Sequence, residues 1–210
     1  MKGTKKVIAL IVVVLVAAIY SYGVWPRPIY NTNIGSSAYL NTGALEDGSE
    51  YSQKFVCADA GLCGMTMKLT KMENPTIGTY EWSVIDVEKD QVIGTGVIDQ
   101  ASTENKIFES ASAQKKGIIE LSFDKQPDSK GKTYLLTLKA LEVEEGQTMA
   151  VYITEKNKVQ TELIVNGETL EQASVIKLNY QRFNLETFIV FMGIMIYMIL
   201  FVRFMYKLFR

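Results

Sequence analysis

Two apolar runs, one at each end, bracket every acidic residue of this 210-residue chain. The first covers residues 7–25 and the second residues 187–206. The seven charges outside 30–186 are all basic: Lys2, Lys5, Lys6, Arg27, Arg203, Lys207 and Arg210. A helix needs about 20 mostly apolar residues to cross a hydrocarbon core about 30 Å thick, and both runs meet that length. Tyr20, Tyr22 and Trp25 cluster at the far end of the first run, where aromatic rings favour a headgroup region. Pro26 and Pro28 then close the helix, because proline has no N–H and clashes with the preceding turn. A cleaved signal peptide is the competing reading of this run. Ser21-Tyr22-Gly23 is the only small-x-small triplet near a usable cut, so a retained anchor is expected. The second run is apolar all round, unlike a surface helix. Arg203, within its last turns, can carry its guanidinium to the interface. Basic flanks prefer the cytoplasmic side. Both termini are therefore expected in the cytoplasm, with the middle of the chain outside it.

That middle region is a normal size for one domain. Residues 30–186 hold 15 Lys/Arg against 23 Asp/Glu, a net charge of −8 that the near-neutral total conceals. Such a domain is a poor match for nucleic acid or anionic lipid. It disfavours a polyanion too, unless a local basic patch exists. Lys115-Lys116 and Lys125…Lys130-Gly131-Lys132 come nearest to one, and short lysine runs of this kind also serve as solvated turns. No histidine occurs. That removes Ser-His-Asp and Cys-His catalysis, and with only two cysteines no four-ligand zinc site can be built. Cys57 and Cys63 either close a small disulfide loop outside the cytosol or sit as two apolar thiols. No cofactor is expected.

Between the apolar runs the pattern has period two, bounded by Gly, Pro, Asn and Asp. Strands are predicted over 52–57, 62–70, 79–87, 92–98, 106–109, 117–123, 133–141, 148–154, 161–165 and 173–179. Tyr80, Trp82 and Val84 share one face, with Glu81 and Ser83 on the other. Asn166-Gly167 is a strong two-residue hairpin signal. About ten short strands without helical period predict a mainly β, antiparallel sandwich. The predicted layout is a tail at 1–6, a membrane helix at 7–25, a linker or first strand at 26–50, the sandwich at 51–182, a second membrane helix at 185–206 and a tail at 207–210.

Three strands and one turn carry a resemblance. They are Gln53-Lys-Phe-Val-Cys57, the Gly64-to-Leu69 strand, Gly78-Thr-Tyr-Glu-Trp-Ser-Val-Ile-Asp86, and Phe123-Asp-Lys-Gln-Pro-Asp-Ser-Lys-Gly-Lys-Thr-Tyr134. Over about 52–154 the chain resembles the extracytoplasmic jelly-roll domains of bacterial membrane proteins in surface-polysaccharide and teichoic acid assembly, which are similar to carbohydrate-binding modules. The resemblance implies a jelly-roll-like sandwich at a bacterial plasma membrane, and with the two apolar runs the expected fold is that sandwich flanked by one N-terminal and one C-terminal membrane helix. Similar modules often accompany many membrane helices. With only two here, the expected role is a non-catalytic accessory subunit or glycan-binding module. A structural partner of a membrane transporter or glycosyltransferase, acting through the helices, is the alternative. A carboxylate-dependent ectoenzyme is a third.

A sugar site on a sandwich needs an exposed aromatic ring with polar partners. Tyr80, Trp82 and Tyr134, with Asp128 and Lys130 of the Asp-Ser-Lys-Gly-Lys turn, are the candidate ligand contacts. Each has a plain reading beside it: Trp82 between Tyr80 and Val84 as core, and the turn as a well-made hairpin. Asp124 and Asp128 are weak calcium candidates. For glycoside hydrolysis two carboxylates must face each other across a cleft. Asp86, Glu88 and Asp90 lie at one turn and Glu142, Glu144 and Glu145 in one loop, and both groups read as solvated.

Overall fold

The structure, a computed structural model, describes residues 2–72, 76–101, 108, 112 and 115–209. It divides into a helical unit, Met1–Trp25 with Gln181–Arg210, and a β unit, Pro26–Tyr180.

In the helical unit, α1 spans Lys2–Ser21 and α2 spans Leu185–Leu208. The expected first helix over 7–25 is corrected at its end: it stops at Ser21, and Tyr22–Pro28 is strand β1. The cause is local. Residues that precede proline avoid the helical region, so Trp25 before Pro26 and Arg27 before Pro28 are pushed to extended backbone. Gly23 further weakens any helical continuation. Ser21 marks the stop by donating its hydroxyl to the Ala17 carbonyl at 2.7 Å. Asn184 caps α2, its side chain accepting from the Thr187 amide at 3.1 Å. Its own amide donates to the Ser21 carbonyl at 2.8 Å. Tyr20 and Phe191 place their ring centroids 5.3 Å apart, so the end of α1 meets the start of α2. With 24 residues, α2 is long and apolar enough to cross a membrane, and none of its side chains is buried. The comparable apolar stretch of α1, among the described residues, is the shorter Leu10–Ser21.

Two antiparallel sheets make up the rest. One runs β1, β13 (Ile176–Phe183), β4 (Leu62–Lys71), β9 (Met149–Glu155), β12 (Gln172–Ser174), with β2 (Leu40–Asn41) on β9 and β7 (Ile118–Gln126) on β4. The other runs β11 (Glu168–Leu170), β10 (Thr161–Val165), β3 (Glu50–Val56), β8 (Thr133–Glu142), β5 (Thr79–Asp86), β6 (Gln91–Ile98). Residues 26–50 are thus no plain linker: they carry the end of β1, a single 3₁₀ turn at Ser36–Ala38, and β2. The predicted strand at 106–109 lies outside the described residues, apart from Phe108.

Alternation decides which side chains enter the core. Tyr80, Trp82 and Val84 point inward from β5, and Tyr134, Leu136 and Leu138 from β8. They meet Met65, Met67 and Leu69 of β4, Val151 of β9 and Ile176 and Leu178 of β13 in one cluster. Each such side chain contributes about 1.5–3 kcal/mol by leaving water. The Asn166-Gly167 hairpin forms as predicted, with φ of 51° and 83°, joining Val165 to its partner Glu168. Asp86 corrects the reading of its turn as solvated. It is buried, and its carboxylate accepts from the amides of Glu88 at 3.1 Å and Lys89 at 3.2 Å, closing the turn.

Candidate functional site

The residues singled out from sequence do not converge on one surface. Tyr80, Trp82 and Tyr134 are buried in the core. The Tyr80 hydroxyl donates to the Leu45 carbonyl at 2.9 Å and accepts from the Met149 amide at 3.1 Å, so it stitches the two sheets together. Asp124, Asp128 and Lys130 are exposed. The turn that carries Asp128 and Lys130 is organised by Ser129. Its hydroxyl accepts from the Leu62 amide and donates to the Asp59 carbonyl, both at 3.0 Å. Gly131, at φ 77°, passes its amide to the Cys57 carbonyl at 2.8 Å. The motif behind the resemblance therefore laces two loops together.

Cys57 and Cys63 form no disulfide, the first thiol being buried and the second half-buried. Burial pushes the Cys57 thiol up to about 12, with the Tyr180 hydroxyl beside it opposing the shift. Cys57 therefore stays a protonated, apolar core group at neutral pH. Among the described residues, no three His, Cys, Asp or Glu side chains are grouped to hold a metal ion.

Two hollows are acidic. One of about 650 Å³ is lined by Asp47, Asp99, Glu142 and Glu144 together with Ile77, Leu141 and Val143. The other, about 450 Å³, shares Asp47 and Glu144 and adds Glu46 and Glu145. The predicted loop carboxylates Glu142, Glu144 and Glu145 gather here, with no aromatic ring among the described lining residues.

A third hollow differs in chemistry. It is a groove of about 280 Å³ on the outer face of the larger sheet, lined by Tyr30, Ser36, Tyr39, Thr66, Met67, Lys68, Ile118, Val175 and Lys177. Its floor is set by register. Alternation sends Met65, Met67 and Leu69 into the core, so Thr66 and Lys68 face out. Across the ladder, Thr66 pairs with Lys177 of β13 on one side and with Glu120 of β7 on the other. Its wall is the chain between Tyr30 and Tyr39, which leaves the sheet where Tyr30 bridges Lys156 and returns where Leu40 pairs with Ile153.

Tyrosine rings dominate that wall. Tyr30 and Tyr39 meet edge-on at 6.0 Å and 80°, and Tyr39 reaches Tyr152 of β9 at 6.5 Å. The Lys68 ammonium stands 5.9 Å from the Tyr39 ring centre and 5.5 Å from that of Tyr152. Within about 6 Å a ring face attracts a cation, by about 0.5–1 kcal/mol at exposed sites. Burial first, and then the neighbouring Tyr39, push Tyr30 up to about 12, so its hydroxyl stays neutral and able to donate. Among the described residues no carboxylate lines this groove, although the domain around it is acidic.

Sequence reasoning missed Tyr30, Tyr39, Lys68 and Lys177. Tyr30 and Tyr39 sit in a polar stretch, and the two lysines lie 109 positions apart. The one available signal was alternation in β4, which already placed Lys68 on the solvent side. Compared with known proteins, the chain matches no family model and no curated protein.

Proposed function

We propose that this chain is a two-span bacterial membrane protein that presents a jelly-roll-like β-sandwich outside the cytoplasm. The sandwich binds glycan, without catalysis, as an accessory module in surface-polysaccharide assembly. The observation that carries the reading is the tyrosine-lined groove on an exposed sheet face. A ring of this kind offers a flat apolar surface to the C–H face of a sugar, and the hydroxyls of Ser36, Thr66 and the tyrosines offer hydrogen bonds.

The membrane part rests on α2, at about 1.5 Å per residue long enough for a hydrocarbon core of about 30 Å, and on the contact of the end of α1 with its start. Basic residues stand before the first apolar run and after the second, a distribution that supports both ends on the cytoplasmic side. Titration of the detergent-solubilised full chain with envelope oligosaccharides tests the reading. Binding is expected, and Tyr39→Ala is expected to weaken it about tenfold, equivalent to about 1.4 kcal/mol. Absence of binding to every such glycan would overturn it.

A second reading places the working surface on the helices, beside a transporter or glycosyltransferase. Five aromatic residues and four methionines fall within 188–205, an adaptable surface for a partner helix. It expects a membrane enzyme to co-purify stoichiometrically in mild detergent, and that co-purification to be lost when α2 is replaced by an unrelated apolar helix.

A further inference from the structure

Strands with a single partner end their sheets: β1, β2, β7 and β12 in the larger, β6 and β11 in the smaller. Such edges invite a further strand, and proteins blunt them by shortness, charge or proline. All but one are blunted in this way. β2, β11 and β12 are only two or three residues long. β1 carries Arg27 between Pro26 and Pro28, and β7 carries Glu120, Asp124 and Lys125. β6 is the exception. Its 8 residues, Gln-Val-Ile-Gly-Thr-Gly-Val-Ile, hold no charge and no proline, although the domain around them is acidic. Among the described residues no strand pairs with its outer edge. A bulge bends β6 at Ile93, and beyond it Gly94–Ile98 keeps unbroken register with β5.

The side chains of β6 add a second observation. Gly94 and Gly96 are explained from within, since a Cβ on either would fall 2.6 Å from Phe123 or Trp82. Val92, Thr95 and Val97 have no such reason. They are exposed, the valines by 51% and 48%, on an edge that solvation alone would favour as polar or charged. The order of residues is also nearly mirrored about Thr95: Gly94 with Gly96, Ile93 with Val97, Val92 with Ile98. We infer that β6 pairs antiparallel with β6 of a second copy of this chain, about a two-fold axis through Thr95. A two-fold contact must be self-complementary, and the mirrored order lets each residue meet its own kind. Thr95 faces Thr95, and Ile93 faces Val97 twice. Thr–Thr and β-branched pairs of this sort contribute about 0.2–1 kcal/mol each, beside the ladder hydrogen bonds. Every residue of β6 is neutral, so two acidic domains meet along the long edge where like charges do not oppose each other. The inference stands apart from the glycan reading and does not depend on it.

Sedimentation of the full chain in neutral detergent, over a range of concentrations, tests it. A concentration-dependent dimer is expected, and a weak one, because a single edge of small side chains makes a limited interface. Thr95→Lys sets a charge at the centre of the pairing and is expected to weaken it about tenfold or more, with the circular dichroism of the parent kept. Val97→Lys, at a second exposed position, should act in the same direction and covers the case in which the first variant fails to fold. Thr95→Cys supplies a positive signal. Directly opposed Cβ atoms lie about 4.5–5.5 Å apart, near the about 3.5–4.5 Å of a disulfide. Mild oxidation should therefore give a covalent dimer that the parent, with Cys57 and Cys63 alone, does not form. Glu168→Cys on the β11 edge should give none. A parent chain that stays monomeric at every concentration would overturn the inference. So would a dimer that neither Thr95→Lys nor Val97→Lys weakens, since it would be held by the helices or by another surface.

Discussion

Trp82→Ala is expected to destabilise the sandwich by about 3–5 kcal/mol, the usual cost of removing a large aromatic side chain and leaving a cavity. The indole is 6% exposed and belongs to the central cluster. It sits on β5 between Leu138 of β8 and Gly96 of β6. Gly96 makes the fit possible: a Cβ there would fall 2.6 Å from the indole nitrogen, and its three nearest neighbours would all be Trp82 atoms. Denaturant unfolding of the full chain, followed by far-ultraviolet circular dichroism, measures the loss. A double-mutant cycle sharpens it. Gly96→Ala should destabilise the parent chain, and do so far less once Trp82 is alanine, because the two changes share one contact. A loss below about 1 kcal/mol, together with lost sugar binding, would instead make Trp82 a surface platform.

Gln53→Leu is expected to cost about 3 kcal/mol, although it replaces a polar side chain in a hydrophobic core with an apolar one of similar size. Gln53 is fully buried, and its amide joins the two sheets. Its nitrogen donates to the carbonyls of Glu162 at 3.0 Å and Lys54 at 3.1 Å, within the smaller sheet. Its oxygen accepts from the Ser174 amide at 2.9 Å, on β12 of the larger one. Tyr51, two residues earlier on β3, shares a 2.6 Å hydroxyl contact with the same Ser174. Leucine would leave the Ser174 N–H buried without an acceptor, a penalty of about 1–3 kcal/mol for one such group, beside the other lost bonds. The same unfolding measurement reads it. A neutral or stabilising result would mean that water or a shifted backbone satisfies Ser174.

Much of the sandwich was written locally. Tyr80/Trp82/Val84 and Tyr134/Leu136/Leu138 announced their strands by alternation, and Asn166-Gly167 announced its hairpin. The strand at Tyr22–Pro28 was hidden. Its prolines read as the end of a helix, whereas β1 ends the sheet order, and an edge strand tolerates residues that cannot donate to a ladder. The groove was hidden for another reason. Charge runs such as Lys115-Lys116 can be seen in sequence, but Lys68 and Lys177 become neighbours only through the β4–β13 ladder. Its aromatic wall lies between Tyr30 and Tyr39, a stretch without strand period between β1 and β2. Ser129 shows the converse: the turn motif was legible, and its meaning as a link between loops was not.

The groove has two parts with different genetic freedom. Its lysines are rungs of a ladder, where a slip of one residue would carry Lys68 into the core in place of Met67, so the sign of its charge is guarded by the stability of the whole sheet. Its tyrosine wall is an excursion tied to the sheet at its two ends, by Tyr30 and Asn31 at one and by Leu40 at the other. Selection could redraw that wall, by length or by sequence, while the ladder residues beneath it are inherited unchanged.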